Sequence, residues 1–230
     1  GKRFTPEMWL EVQAATMSHP GNDFLVGKFR HLGQGNRALV SMMFNGFPLG
    51  TNEAAYKEFN KMPKKLCYIG KSTNSDYRYR YERSMPGIKR LRMRHYLQRY
   101  LNELYLDLEN KCEFGNEKQI IPVLCVFMQK VCRMEPCRDG NTRCLVVCIS
   151  KIATDFGLHP MLFDWPDAAA TVSRVEWEEV MFTAYKAFEA KVAELEEDAK
   201  SGEQPPRDNF VPDEAKEAWV KTQKNAWFQN

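Results

Sequence analysis

A long amphipathic pattern runs from Ile88 to Glu109 and predicts a helix of about six turns. Its apolar side chains recur at intervals of three and four residues, which places them on one face of the helix. They are Ile88, Leu91, Tyr96, Leu97, Leu101, Leu104, Tyr105 and Leu108. A similar pattern predicts a helix from Ser173 to about Lys200, and Thr5-Pro6 is typical of the start of a shorter one. Each of these faces requires a core to cover it.

Shorter apolar runs predict strands. Arg37–Phe44 and Lys65–Gly70 are short, and each is followed by turn-forming residues. Gln119–Cys132 is rich in β-branched residues, and with Arg143–Ile152 it predicts a β-hairpin with a long tip. Tyr77–Met85 is interpreted as one or two helical turns. The expected fold class is therefore α/β (α+β), with a small, largely antiparallel sheet flanked by helices.

Charge is distributed unevenly along the chain. From Lys57 to Arg99 there are 13 Lys or Arg against 3 Asp or Glu, although the net charge is only +3. From Glu189 to Glu217 there are 10 acidic residues against 4 basic ones. The basic region is consistent with a nucleic-acid partner and equally with a solvated basic face.

The seven cysteines lie mostly inside apolar runs, where a free thiol behaves as a small hydrophobic group. No secretory segment is recognisable and no apolar run is long enough to span a bilayer, so we expect an intracellular protein of the cytoplasm or nucleus. Cys132, Cys137 and Cys144 lack the fourth ligand that structural zinc requires, and ordinary cysteines around a turn are the alternative.

The segment Tyr68-Ile69-Gly70-Lys71 combines a strand end with groups suited to phosphate chemistry. Glycine lets the backbone approach a ligand closely. Lys71 and, seven residues later, Arg78 could bind a phosphate, while Tyr68 could act as a general base. These residues predict a site for phosphodiester cleavage at the end of the strand.

Tyr68-Ile69-Gly70-Lys71 with Arg78 resembles the second motif of the GIY-YIG nucleases; the first motif is not recognisable. The resemblance implies a GIY-YIG-like domain over residues 37–230, with a helical and β-hairpin insertion at about 88–170 and C-terminal helices. Residues 1–36 would form an N-terminal helical extension.

The resemblance also implies a metal-dependent endonuclease, possibly restriction- or homing-like. Glu178 would hold a single Mg²⁺ (or Mn²⁺), with Glu176 and Glu179 as rival ligands. Asn209 would complete the catalytic group formed with Tyr68, Lys71 and Arg78.

Double-stranded DNA is the expected partner, and no membrane is expected. A homodimer is compatible with the sequence. Six cations are predicted to contact DNA: Arg80, Arg83, Lys89, Arg90, Arg92 and Arg94. Two alternatives stay open, namely a non-catalytic nucleic-acid-binding relative of the family and an interaction domain whose basic helix meets an acidic protein.

Overall fold

The computed structural model describes residues 2–17, 26–29, 68–71, 81–84, 90–137, 139–164, 166–170 and 172–201. Its helices are α1 (Pro6–Thr16), α2 (Arg90–Lys111), α3 (Glu117–Met134), α4 (Asn141–Asp155) and α5 (Arg174–Ser201), and a 3₁₀ helix covers Pro166–Ala170. Contacts divide the chain into residues 1–188 and 189–230. The described part of the second unit is the exposed, acidic end of α5. The boundary expected at residue 36 stays a prediction.

The predicted helices near Thr5, from Ile88 and from Ser173 are confirmed as α1, α2 and α5. The Thr5 hydroxyl accepts a hydrogen bond from the amide of Met8 at 3.3 Å, and Pro6 occupies the first turn of α1. The buried side of α1 carries Trp9 and Gln13. This helix packs against α4 and α2, so the first helix of the chain is part of the helical core.

The predicted β-hairpin of residues 119–132 and 143–152 is wrong, because both segments are helices, α3 and α4. The spacing of the buried residues in α3 is helical, and the strand prediction overlooked it. Ile120, Ile121, Leu124, Met128 and Val131 of α3 are all fully buried and recur at helical intervals. The β-branched residues of both segments favoured strands, and the helical period of the apolar residues was not given enough weight.

The turn between α3 and α4 is held by local hydrogen bonds. Glu135 ends α3 with a left-handed φ of 45°. The side chain of Asn141 accepts from the amide of Cys137 at 2.7 Å and donates to its carbonyl at 2.8 Å. Gly140 has φ 73°, and a Cβ atom there would lie 2.8 Å from the side chain of Met17. Glycine is therefore required at this position by backbone conformation and by contact.

Two short strands pair antiparallel, β1 (Tyr68–Lys71) and β2 (Tyr81–Ser84), with Lys71 opposite Tyr81. The strand expected at 65–70 therefore overlaps β1. The helical turn expected at 77–85 is wrong, because β2 occupies residues 81–84 of that segment.

The expected fold class is also wrong. The described core is a packed set of helices, and the only sheet within the described residues is this two-stranded ladder. The predicted strand 37–44 lies outside the described residues, as does the part of the expected C-terminal helices beyond residue 201.

The core lies between α2, α3 and α4, and α1 and the start of α5 cover it. Arg133 of α3 is buried, and its guanidinium donates to the carbonyls of Ala170 and Val172 at 3.1 and 3.0 Å. Gln129 donates to the same Val172 carbonyl at 3.0 Å. These bonds tie the segment before α5 to α3 and satisfy polar groups that burial would otherwise leave unpaired.

Candidate nucleic-acid interface

The N-terminal half of α2 carries the strongest concentration of positive charge in the described part of the chain. From Arg90 to Arg99 the helix has four arginines and no carboxylate. One side of this half helix is core, because Met93 and Leu97 are completely buried. The helical repeat therefore turns the intervening charged residues outward.

Four residues at positions i, i+3, i+4 and i+7 line a cleft of about 380 Å³ on the outer side of α2. They are Arg92, His95, Tyr96 and Arg99. Arg92, His95 and Arg99 are exposed and Tyr96 is half-buried. Among the described residues, Arg92 and His95 have no ion-pair partner.

Glu103 continues this row and is shared by two cations. Its carboxylate accepts from Arg99 Nε at 2.8 Å and from Lys130 Nζ of α3 at 3.0 Å. Partial burial raises the pKa of Glu103, but the hydrogen bonds from Lys130 and Arg99 outweigh it and hold that pKa below its usual value. We call Arg92, His95, Tyr96, Arg99 and Lys130 the basic face.

Arg94 lies apart from the basic face. Its guanidinium pairs with the carboxylate of Glu7 on α1, and both side chains are about half exposed. A backbone hydrogen bond at Glu7 and the nearby Arg94 lower the pKa of Glu7. Arg94 therefore joins two helices, and the cations predicted from sequence as one group divide between two sides of α2.

The other predicted DNA contacts are only partly within the described structure. Arg90 begins α2, and Arg83 lies on β2 opposite Ile69. Arg80 and Lys89 lie outside the described residues. Arg99 belongs to the basic region of the sequence but not to the six predicted DNA contacts, and Lys130 lies outside that region. The four-residue spacing of Arg99 and Glu103 is a sequence signal for an ion pair on one face of the helix, and it could have identified Arg99. No nearby residue in the sequence identifies Lys130 as part of the basic face, because Lys130 comes from another helix.

The predicted catalytic group is not assembled by the described residues. Tyr68 and Lys71 begin and end β1, whereas Arg78 and Asn209 lie outside the described residues. Glu178 lies on α5, where its carboxylate is 4.0 Å from the guanidinium of Arg174.

Glu176 and Glu179, the two rival metal ligands, do not lie in a metal site among the described residues either. Glu176 accepts a hydrogen bond from the amide of Ser173 at 2.8 Å, while the Ser173 hydroxyl accepts from the amide of Glu176 at 3.4 Å. This reciprocal pair caps α5. Glu179 is exposed. In the part of the chain that the structure describes, no three His, Cys, Asp or Glu side chains converge as a metal site, so Mg²⁺ stays a prediction.

Five of the six described cysteines are buried, and none of the six is in a disulfide. Burial raises the pKa of Cys137 to about 12, and it also raises the pKa of Cys144 and Cys148. Thiols in this state are poor nucleophiles and poor metal ligands, because both roles require the thiolate.

No protein-family model matches this chain, and no curated protein matches it. Among the described helices, none is both long and apolar enough to cross a membrane.

Proposed function

We propose that this protein binds nucleic acid, with duplex DNA as the first substrate to test, through the basic face of α2 and α3. The observation that carries the proposal is the placement of Arg92 at the positive end of a helix, exposed and without an ion-pair partner among the described residues. A bound phosphate would supply the missing negative charge.

The arginines at the start of α2 work against the stability of the helix. The first turn of a helix favours acidic side chains, and a cation there costs about 0.3–1 kcal/mol in exposed positions. The first turn of α2 contains no acidic residue and includes Arg90 and Arg92. Sequence choices that oppose local stability are expected where a residue serves function.

The ion pairs on the basic face leave its cations accessible to a phosphate. The side chain of Arg99 is 70% exposed and that of Lys130 is 38% exposed. Exposed ion pairs contribute little to stability, and a phosphate oxygen is an acceptor as good as a carboxylate. Duplex DNA presents about one charge per 1.7 Å of axis, so it can compete with Glu103 for both cations.

The proposal is tested by fluorescence anisotropy of a labelled duplex about two helical turns long, titrated with the full chain at several salt concentrations. Arg92→Gln is expected to weaken binding to every sequence and to reduce the slope of log K against log salt by about one. Lys118→Gln is the matched control, because Lys118 is also exposed and lies on α3 away from the basic face. Equal affinities and equal slopes for wild type and Arg92→Gln would contradict the proposal.

Phosphodiester cleavage is a second proposal, which rests on the motif Tyr68-Ile69-Gly70-Lys71 and on its position in a strand, β1. Plasmid nicking in Mg²⁺ or Mn²⁺ tests it, with Arg78→Ala and Glu178→Ala for comparison. Nicking by wild type, together with variants that bind DNA and do not nick it, would support catalysis. If wild type binds DNA but does not nick it with either divalent metal, the cleavage proposal is contradicted and only nucleic-acid binding is supported.

A further inference from the structure

A groove of about 510 Å³ lies between α5 and the segment from residue 162 to residue 168. Its floor and walls are mainly apolar and include Leu162, Phe163, Val180 and Ala184. Leu162 is 45% exposed, so this apolar side chain of the lining is open to solvent. None of the basic-face residues lines this groove.

The walls of the groove are fixed in place. The amide of Leu162 donates to the carbonyl of Ala184 at 3.0 Å, which holds the segment alongside α5. The ring of Phe163 stacks on Trp177 at 5.7 Å with an interplanar angle of 10°. Along α5 the lining extends from Glu176 to Ala187, a length of about 17 Å. This length matches about three turns of a partner helix.

The rim of the groove is acidic. Asp164 and Glu179 are exposed lining residues, and among the described residues neither carboxylate has a cation within ion-pair distance. The third acidic lining residue, Glu176, already accepts the hydrogen bond that caps α5. The described lining includes no lysine or arginine. An occupant that matches both the floor and the rim has apolar and cationic groups together.

We propose that this groove binds a cationic amphipathic helix of a protein partner. Apolar side chains at positions i, i+4 and i+7 of that helix would enter the groove beside Leu162 and Val180. Lysine or arginine side chains on its flanks would reach the carboxylates of Asp164 and Glu179. The inference goes beyond the proposed nucleic-acid binding and uses a different surface.

The test measures binding of a fluorescein-labelled peptide about four helical turns long, with leucines on one face and lysines on both flanks, to the full chain. One control peptide has the same residues in an order without an apolar face, and another has glutamate in place of lysine. The cationic amphipathic peptide is expected to bind saturably, and both control peptides roughly tenfold more weakly or not at all.

Two variants then locate the binding site. Leu162→Ser and Glu179→Lys are each expected to weaken peptide binding by roughly tenfold. Glu196→Lys is the matched control, because Glu196 is an exposed residue of the same helix outside the groove. Circular dichroism establishes that the variants are folded, and unchanged duplex binding shows that the basic face is intact. The proposal is overturned if the cationic peptide does not bind, if either control peptide binds equally tightly, or if neither groove variant weakens binding.

Discussion

Replacing Glu103 by glutamine should change folding stability and DNA binding in opposite directions. Glu103 accepts from Arg99 and Lys130 at 2.8 and 3.0 Å, and glutamine keeps the size of the side chain while removing its charge. The ion pairs are lost, so the folded state should be less stable. The two cations are released for phosphate, so DNA binding should be stronger.

The exposure of the ion-paired side chains sets the expected loss of stability, and the number of phosphate contacts sets the expected change in salt dependence. The side chains of Glu103 and Lys130 are each 38% exposed, so solvent screens their interaction and the expected loss of stability is about 0.5–1 kcal/mol. One additional phosphate contact steepens the salt dependence by about 0.9 in log K per log salt. Between about 50 and 200 mM salt, that slope corresponds to a further loss of affinity of roughly threefold.

The stability effect depends on pH in a direction fixed by the pKa of Glu103. Burial raises this pKa, but the hydrogen bonds from Lys130 and Arg99 lower it by more, so the folded pKa lies below the usual value of 4.5. A depressed pKa contributes stability above the unfolded value, and this contribution is lost as pH falls through the folded value. Wild type and Glu103→Gln should therefore differ at about pH 7 and converge at a pH below the folded pKa of Glu103.

Urea unfolding at these two pH values measures the stability difference, and duplex anisotropy at two salt concentrations measures binding. Glu109→Gln is the control, because Glu109 lies on the same helix and pairs with Arg3, away from the basic face. Weaker or unchanged DNA binding by Glu103→Gln would refute the assignment of the basic face. A stability difference that persists in acid would refute the role given to the Glu103 charge.

Three further outcomes test the fold. Gly140→Ala should cost about 1–3 kcal/mol in urea unfolding, and more than Gly27→Ala, because both glycines have positive φ but only Gly140 would place its Cβ against a buried methionine. Leu124→Ala should cost about 2–5 kcal/mol, since Leu124 is fully buried; a loss below 1 kcal/mol would contradict the packing of α3. Alkylation at about pH 8, followed by mass spectrometry, should label Cys112 before Cys137 in the native protein, because burial raises the pKa of Cys137 to about 12.

The helices that the sequence predicted correctly were α1, α2 and α5. The helices α1, α2 and α5 each have a polar face, so their apolar residues show the helical period clearly. The segments that became α3 and α4 show the helical period too, for example at Ile120, Leu124 and Met128, but their β-branched residues were given more weight and indicated strands. The period of the apolar residues was the better guide to these two segments than their β-branching.

At the candidate site, the sequence did not predict the contacts between residues that are far apart along the chain. The charge of α2 was visible in the sequence, and Arg92 is exposed as expected. The sequence did not reveal that Arg94 pairs with Glu7, because α1 lies 87 positions away along the chain. It also did not reveal that Lys130 of α3 joins Arg99 at Glu103. Spatial neighbours contributed by distant segments set the charge of this surface.

The packing of α1 has a consequence for synthesis of the protein. The thiol of Cys144 donates to the carbonyl of Trp9, and the two residues are 135 positions apart. At about 5–20 residues per second, the ribosome needs roughly 7–27 s to reach Cys144 after it has made Trp9. Throughout that interval α1 lacks α4, although α2, its other packing partner, is made earlier. The buried side of α1 is therefore incompletely covered until α4 has been translated.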